Sequence, residues 1–333
     1  MKKTDRTKIL KKIVRWIIQI LVIGAIGFFL VRTVVRNWHE VADFPWHFNP
    51  WLLIASFALL AGTLLFMIVL WRWLLIRLGA RISLGSAFRI FSLSSLGRYL
   101  PGKVWQVVGM VYLGRREGVR AEAGVWAAVL AQILAVLSGI LLTFAALFVE
   151  QERMLAPLLA RLGICSISLW WLLLPIAVIL GLLHPRIIER ITNWILRLLK
   201  REPIRFELSY PGLLGFFLLY MLSWILYGTA FFLFLASVHP LPLADWMVVT
   251  GGFAGAYIVG LLAIFVPGGL GVREGLLALF LSSLVGSGVA VALSFGQRLW
   301  FTAAELTFVL ISVIFVRRRN GSKKVSQTGK TGS

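Results

Sequence analysis

The sequence predicts an all-α, polytopic integral membrane protein of about eight transmembrane helices, and three observations carry that prediction. First, 59% of the 333 residues are hydrophobic and the mean hydropathy is +0.90, against roughly 45–50% apolar residues in a soluble domain. Second, long apolar runs alternate with short polar loops, and Lys and Arg gather in every second loop, the positive-inside pattern. Third, that asymmetry accounts for the net charge of +21, which in a soluble chain would point to nucleic acid. Of the 34 Lys and Arg, only Arg32, Arg36, Arg153 and Arg161 fall on the opposite side, with Arg298 inside a span. Both termini are therefore expected in the cytoplasm and the number of crossings is expected to be even. With Cys165 as the single cysteine, no intrachain disulfide or thiol-rich metal site can form.

Met1–Arg15 reads as a basic cytoplasmic N-terminus. The apolar run behind it, Trp16–Val35, is too long for a signal-peptide core and lacks a small-residue cleavage site, so it reads as a retained first span. A loop with Glu40 and Asp43 follows, and Trp51–Leu75 returns to Arg72, Arg77 and Arg81. The segment 84–113 then holds what a membrane helix should not contain: Arg98, the Pro101-Gly102 break and Lys103. Proline removes a backbone donor, and freed backbone groups and charges survive in a bilayer only where protein or water covers them. Leu84–Leu100 and Val104–Leu113 rise about 25 Å and about 15 Å as helices, short of a core of ~30 Å. With Arg115, Arg116 and Arg120 beyond the break, positive charge flanks both ends, which predicts a re-entrant hairpin rather than a crossing.

Ala123–Val149 is the next span, and Glu150–Leu162 a loop on the opposite side before Ile164–Leu183 comes back. Segment 186–201 sets Ile187, Ile188, Ile191 and Ile195 against Arg190, Asn193, Arg197 and Lys200, an amphipathic helix suited to the inner leaflet. Leu213–Val238 crosses outward, His239–Asp245 turns, and Trp246–Val266 returns with the small residues of close helix packing. A second break covers 267–274, with Pro267, Gly268 and Gly269, and Gly275–Val285 is too short for an ordinary span. Gly288–Val316 is a long last helix containing Arg298 and Glu305. Residues 317–333 form a basic tail expected to be disordered and cytoplasmic, which leaves 16–316 as one transmembrane domain. Trp16, Trp51, Trp71, Trp73, Trp246 and Trp300 are expected in the interfacial belts.

Chemistry-bearing patterns are few. Of the 13 acidic residues only Glu274 and Glu305 lie near or inside membrane segments, and no Asp-x-Asp pair, Gly-x-Ser-x-Gly or P-loop occurs. The four histidines, His39, His47, His184 and His239, stand at segment ends without metal-pair spacing. No enzyme, metal or cofactor is expected. An anion site is: each Pro-Gly is followed by a half-helix whose first amides lack partners. Arg98 and Lys103 flank the first break, Arg273 follows the second, and Arg298 lies deep in the last helix. The candidate anion ligands are Arg98, Gly102, Lys103, Gln106, Arg273 and Arg298, with Glu274 and Glu305 as ion-pair partners. Bland roles stand beside these: snorkelling for Arg98 and Lys103, a local pair for Arg273 and Glu274, and bundle glue for Arg298 and Glu305. Gln106, Gln132 and Gln297 could equally be interhelical hydrogen-bond donors. LPGKVWQ from Leu100 and VPGGLGVREG from Val266 also form a weak repeat, the kind of paired interruption that marks a transporter site at a repeat interface.

LGRYLPGKVWQ with LGRREGV, and VPGGLGVREG with Arg298 in the last helix, resemble the membrane domain of lysylphosphatidylglycerol synthases and its stand-alone, flippase-like relatives. The resemblance runs from about Trp16 to Val316. It implies movement of an anionic phospholipid or polyprenyl-phosphate-linked lipid between leaflets of a bacterial or archaeal inner membrane. It also implies roles for Arg98, Pro101, Lys103, Pro267, Arg273, Glu274 and Arg298. The bifunctional synthases append a soluble domain that aminoacylates the lipid; here only a short tail follows, so that activity is not expected. The alternative is a non-catalytic membrane subunit partnering a lipid-modifying enzyme or a glycosyltransferase.

Overall fold

A computed structural model describes residues 35–99, 104–151, 170–198, 209–263 and 269–328, with Phe28, Arg32, Thr33, Arg153 and Val266. Most of the expected first span, most of the loop 150–162, Cys165, and Pro101, Gly102, Lys103, Pro267 and Gly268 lie outside the described residues. Every regular element described is helical: α1 (Trp38–Ala42), α2 (Pro50–Arg77), α3 (Leu84–Ser95), α4 (Trp105–Arg116), α5 (Ala121–Val149), α6 (Trp170–Leu182), α7 (Pro185–Leu198), α8 (Tyr210–Val238), α9 (Trp246–Leu262), α10 (Val272–Val285) and α11 (Ser287–Thr328). Single 3₁₀ turns at Leu96–Tyr99 and Leu243–Asp245 precede α4 and α9.

Local sequence sets the ends of these helices. The Asn49 side chain accepts the amides of Trp51 and Leu52 at 3.1 and 3.2 Å, and Pro50 sits at the first helical position of α2, where no donor is lost. Gly79, at φ +79°, ends that helix in the left-handed region. Ser83 and Ser209 cap α3 and α8 through the amides of Ser86 and Gly212. Glu40 reaches across from α1 to accept the amide of Gly288 at 2.8 Å, capping α11 in place of a local residue.

Five of the described helical stretches are long and apolar enough to cross a membrane: Pro50–Arg77, Ala121–Val149, Tyr210–Val238, Leu243–Leu262 and Ser287–Ile314. The 28 residues of α2 rise about 42 Å, and α8 packs along it. The end of α8 meets the start of α2, where the amides of His47 and Asn49 donate to the carbonyls of Val238 and Ser237. These two helices define the two faces of the molecule.

Two helical hairpins enter this frame from opposite faces. The first, α3–α4, starts where α2 ends. Glu117, just past α4, accepts from Ser86 at 2.6 Å and pairs with Arg89, so the outer ends of both arms lie together. Near the tip a Cβ on Gly97 would stand 2.7 Å from the backbone of Gln106, so only glycine lets the arms meet there. The expected re-entrant segment is thus a hairpin that returns to its own face. The second hairpin, α9–α10, starts where α8 ends. Gly252 faces Phe280 and Gly260 faces Arg273, which sets the arms antiparallel. Gly269, at φ +68°, packs on the Gly260 backbone at the tip, where a Cβ would come within 2.7 Å of the carbonyl oxygen. The 14 residues of α10 rise only about 21 Å, as its short apolar run predicted.

Two expectations need correction. Trp71 and Trp300 are core residues, 2% and 6% exposed, not belt anchors; Trp71 packs on Phe91 and Trp300 on Phe231 and Phe234. Trp51, at 78% exposed, fits the belt. The last helix runs to Thr328, past the Val316 expected to end it. Arg, Lys and Gln are good helix formers and no proline interrupts them. The amphipathic helix is present as α7, with Ile188 buried and Arg186, Arg190 and Arg197 exposed.

Candidate functional site

The two hairpin tips are pinned to one helix. Arg98, in the 3₁₀ turn at the first tip, donates Nη1 to Glu305 Oε1 at 2.5 Å, and the Tyr99 hydroxyl donates to Oε2 at 2.6 Å. At the second tip, Glu274 accepts the amide of Gly271 at 2.6 Å through one oxygen and Arg298 Nη1 at 2.7 Å through the other. Arg298 and Glu305 lie two turns apart on α11, about 10 Å along its axis. That helix therefore offers a cation to one hairpin and an anion to the other.

Both glutamates expected as ion-pair partners are engaged: Arg298 pairs with Glu274, and Glu305 is held by Arg98 and Tyr99. The local pair of Arg273 with Glu274 does not form: adjacent helical residues point about 100° apart. Arg273 is left over. It is 7% exposed, its Nε and Nη2 have no hydrogen-bond partner among the described residues, and its guanidinium carbon lies 5.3, 4.9 and 5.4 Å from the ring centres of Phe253, Tyr257 and Phe301. A cation over aromatic faces recovers part of its lost hydration, but not all of it.

Arg273 borders a cavity of about 430 Å³ between the hairpin tips and α2, α5 and α8. Its polar wall is made by Arg98, Gln106, Gln132, Tyr220, Ser223 and Arg273; the rest is aromatic and aliphatic. Of the candidate ligands, Arg98, Gln106 and Arg273 line it, and Arg298 is held by Glu274. Gly102 and Lys103, with the break residues Pro101, Pro267 and Gly268, lie outside the described residues; Gly269 forms the second tip. Gln297 is fully buried and does not line the cavity, and neither amide atom has a partner.

Sequence reasoning missed Tyr99, Tyr220 and the three rings around Arg273. One signal was available, since Phe253 and Tyr257 are four apart and share a helix face. Both α4 and α10 begin at the tips, so their amino ends, with the positive end of each helix dipole, lie on the same side of the protein as the cavity lining of Gln106 and Arg273. Among the described residues the site has three arginines and two glutamates, one positive charge in excess, walled by apolar helices. Such a place can hold one anionic group.

A family model described as "Lysylphosphatidylglycerol synthase TM region" matches residues 16–318. No curated protein matches the chain.

Proposed function

Because the chain belongs to the lysylphosphatidylglycerol synthase transmembrane-region family, we propose that it moves an anionic phospholipid or lipid-linked phosphate between the leaflets of a bacterial or archaeal inner membrane. It acts as a transporter and not as an enzyme, with both termini cytoplasmic. The observation that carries this reading is Arg273: a buried guanidinium with unpartnered nitrogens, at the wall of a cavity between two hairpins that enter from opposite faces. An unpaired buried charge costs several kcal/mol, and a lipid phosphate would supply the missing partner. The head group would sit among Arg273, Arg98 and Gln106 while the hydrocarbon chains stay in lipid.

Arg98, in this reading, is released from Glu305 as the phosphate arrives, which loosens the first hairpin from α11. The test is movement of a fluorescent anionic lipid in vesicles containing the purified protein alone. Arg273→Gln is expected to abolish that movement while Tm changes little, because among the described residues two of the guanidinium nitrogens have no hydrogen-bond partner and the three rings meet only part of the cost of the buried charge. Absence of movement by the unmodified protein, across anionic phospholipids and polyprenyl phosphates with and without an ion gradient, would leave the accessory-subunit reading in its place.

A further inference from the structure

We infer that the anion crosses together with a proton, which Glu305 takes up when Arg98 leaves it for the lipid phosphate. The inference rests on the anion-transport reading and adds a second substrate to it. Glu305 is 4% exposed. Among the described residues its carboxylate is met by one cation and one hydroxyl, Arg98 Nη1 at 2.5 Å and Tyr99 at 2.6 Å, both at the first hairpin tip. Arg98 also borders the cavity, so the cation that holds Glu305 is one for which an arriving phosphate competes. The other described charges packed around α11 are occupied. Arg298, two turns away on the same helix, is held by Glu274, and Arg273 of α10 lies over three rings. Arg89 of α3 pairs with Glu117, Arg72 of α2 donates to the carbonyl of Ile82, and Glu40 of α1 caps the far end of α11. Tyr227 of α8 is near enough to interact with Glu305 electrostatically but brings no positive charge. A carboxylate that loses its cation in an apolar setting is costly, and it neutralises itself by taking a proton.

The second support is a route for that proton. Glu305 and Ser312 are seven apart on α11 and share a face, with Ser312 about 10 Å further toward the end of the span. Phe308, between them, packs on Phe88 of α3 with ring centres 5.3 Å apart, so α3 covers that face. Ser92 stands one turn along α3 from Phe88, on the same side. Ser312 and Ser92 are 1% and 3% exposed, and neither hydroxyl has a partner among the described residues. Buried hydroxyls of this kind are met by ordered water, and water along this seam links Glu305 to the face where the α3–α4 hairpin opens. Charge is the third support. A phosphodiester and a proton moving in the same direction carry no net charge, so the membrane potential does not oppose their crossing.

The experiment titrates dihexanoylphosphatidylglycerol, whose phosphodiester keeps the same charge across the range, into the full chain in nanodiscs of neutral lipid. Calorimetry near neutral pH in two buffers with different heats of protonation counts the protons. Between about half a proton and one proton is expected to be taken up per lipid bound, and the affinity is expected to rise by up to about tenfold for each unit the pH is lowered. Glu305→Gln should remove both effects. Because that change strands Arg98 and lowers folded yield, Tyr99→Phe is the second variant. It keeps both charges and removes only a hydroxyl that favours the ionised carboxylate, so the pH profile should move toward higher pH; a change in affinity that is equal at every pH would count against the inference. In vesicles, a gradient with the acidic side outside is expected to drive fluorescent phosphatidylglycerol inward, and a protonophore to abolish the bias. Binding with no proton uptake and no pH dependence overturns the inference and leaves the anion site standing, with Arg298 or Lys103, which lies outside the described residues, taking over from Arg98. If neither this lipid nor a polyprenyl phosphohexose, also a diester, binds at any pH, both readings fall.

Discussion

Arg98, Arg273 and Arg298 lie within one site, yet their surroundings give them different work. Arg98 and Arg298 each meet a carboxylate on another element, so each ties a hairpin to α11. Removing one member of such a buried pair strands its partner, at about 3–5 kcal/mol, while removing both is far milder. Arg298→Gln is therefore expected to lower Tm and folded yield. Adding Glu274→Gln should recover most of the loss, and adding Glu305→Gln should deepen it by stranding Arg98. Thermal melts of the three variants in detergent decide the matter; rescue by Glu305→Gln would mean that the pairing described here is wrong. The sequence identified these five charges as a group because charge inside an apolar run is conspicuous. It could not choose among the possible pairings, since the choice depends on which helix face meets which.

At the scale of elements, close approach depends on missing side chains. A Cβ on Gly251 of α9 would stand 2.1 Å from the Cβ of Ala146 on α5, so the two backbones touch there. Gly251→Ala should cost about 1–3 kcal/mol through overpacking. Because the clash is with a single methyl group, Ala146→Gly in the same chain should restore stability. Failure of that second change to rescue would show that the contact is not what holds α5 to α9. The breaks that create both hairpins were plain in the sequence, since Pro-Gly inside an apolar run has few other readings. The direction of the second hairpin was less so: α9 reads as a span by length and composition, and only its packing against α10 shows the return. The buried Trp71 and Trp300 were misplaced for a related reason, because position along a span suggests a belt while the face presented decides burial.

For the whole molecule, charge and architecture agree on orientation. Arg77, Arg81, Arg115, Arg116 and Arg120 all lie at the face where the α3–α4 hairpin opens, and Glu40, Asp43 and Asp245 lie at the other. With Cys165 replaced, a cysteine at exposed Asp43 should react with an impermeant maleimide in intact cells, and one at exposed Arg116 only after permeabilisation. Reaction at Arg116 in sealed cells would invert the proposed topology. The hairpins have one more consequence, for how such a chain can be assembled and how it can change over time. A segment that goes back out through the face it entered is an even insertion: it leaves the direction of every later helix as it was. Residues 84–116, or 246–285, could be lengthened, shortened or exchanged during evolution without turning α11 upside down, whereas loss of α2, α5 or α8 alone would reverse everything synthesised after it. The two hairpins, unlike the α2, α5 and α8 walls of the cavity, are thus parts that the threading of the rest of the chain leaves free to vary.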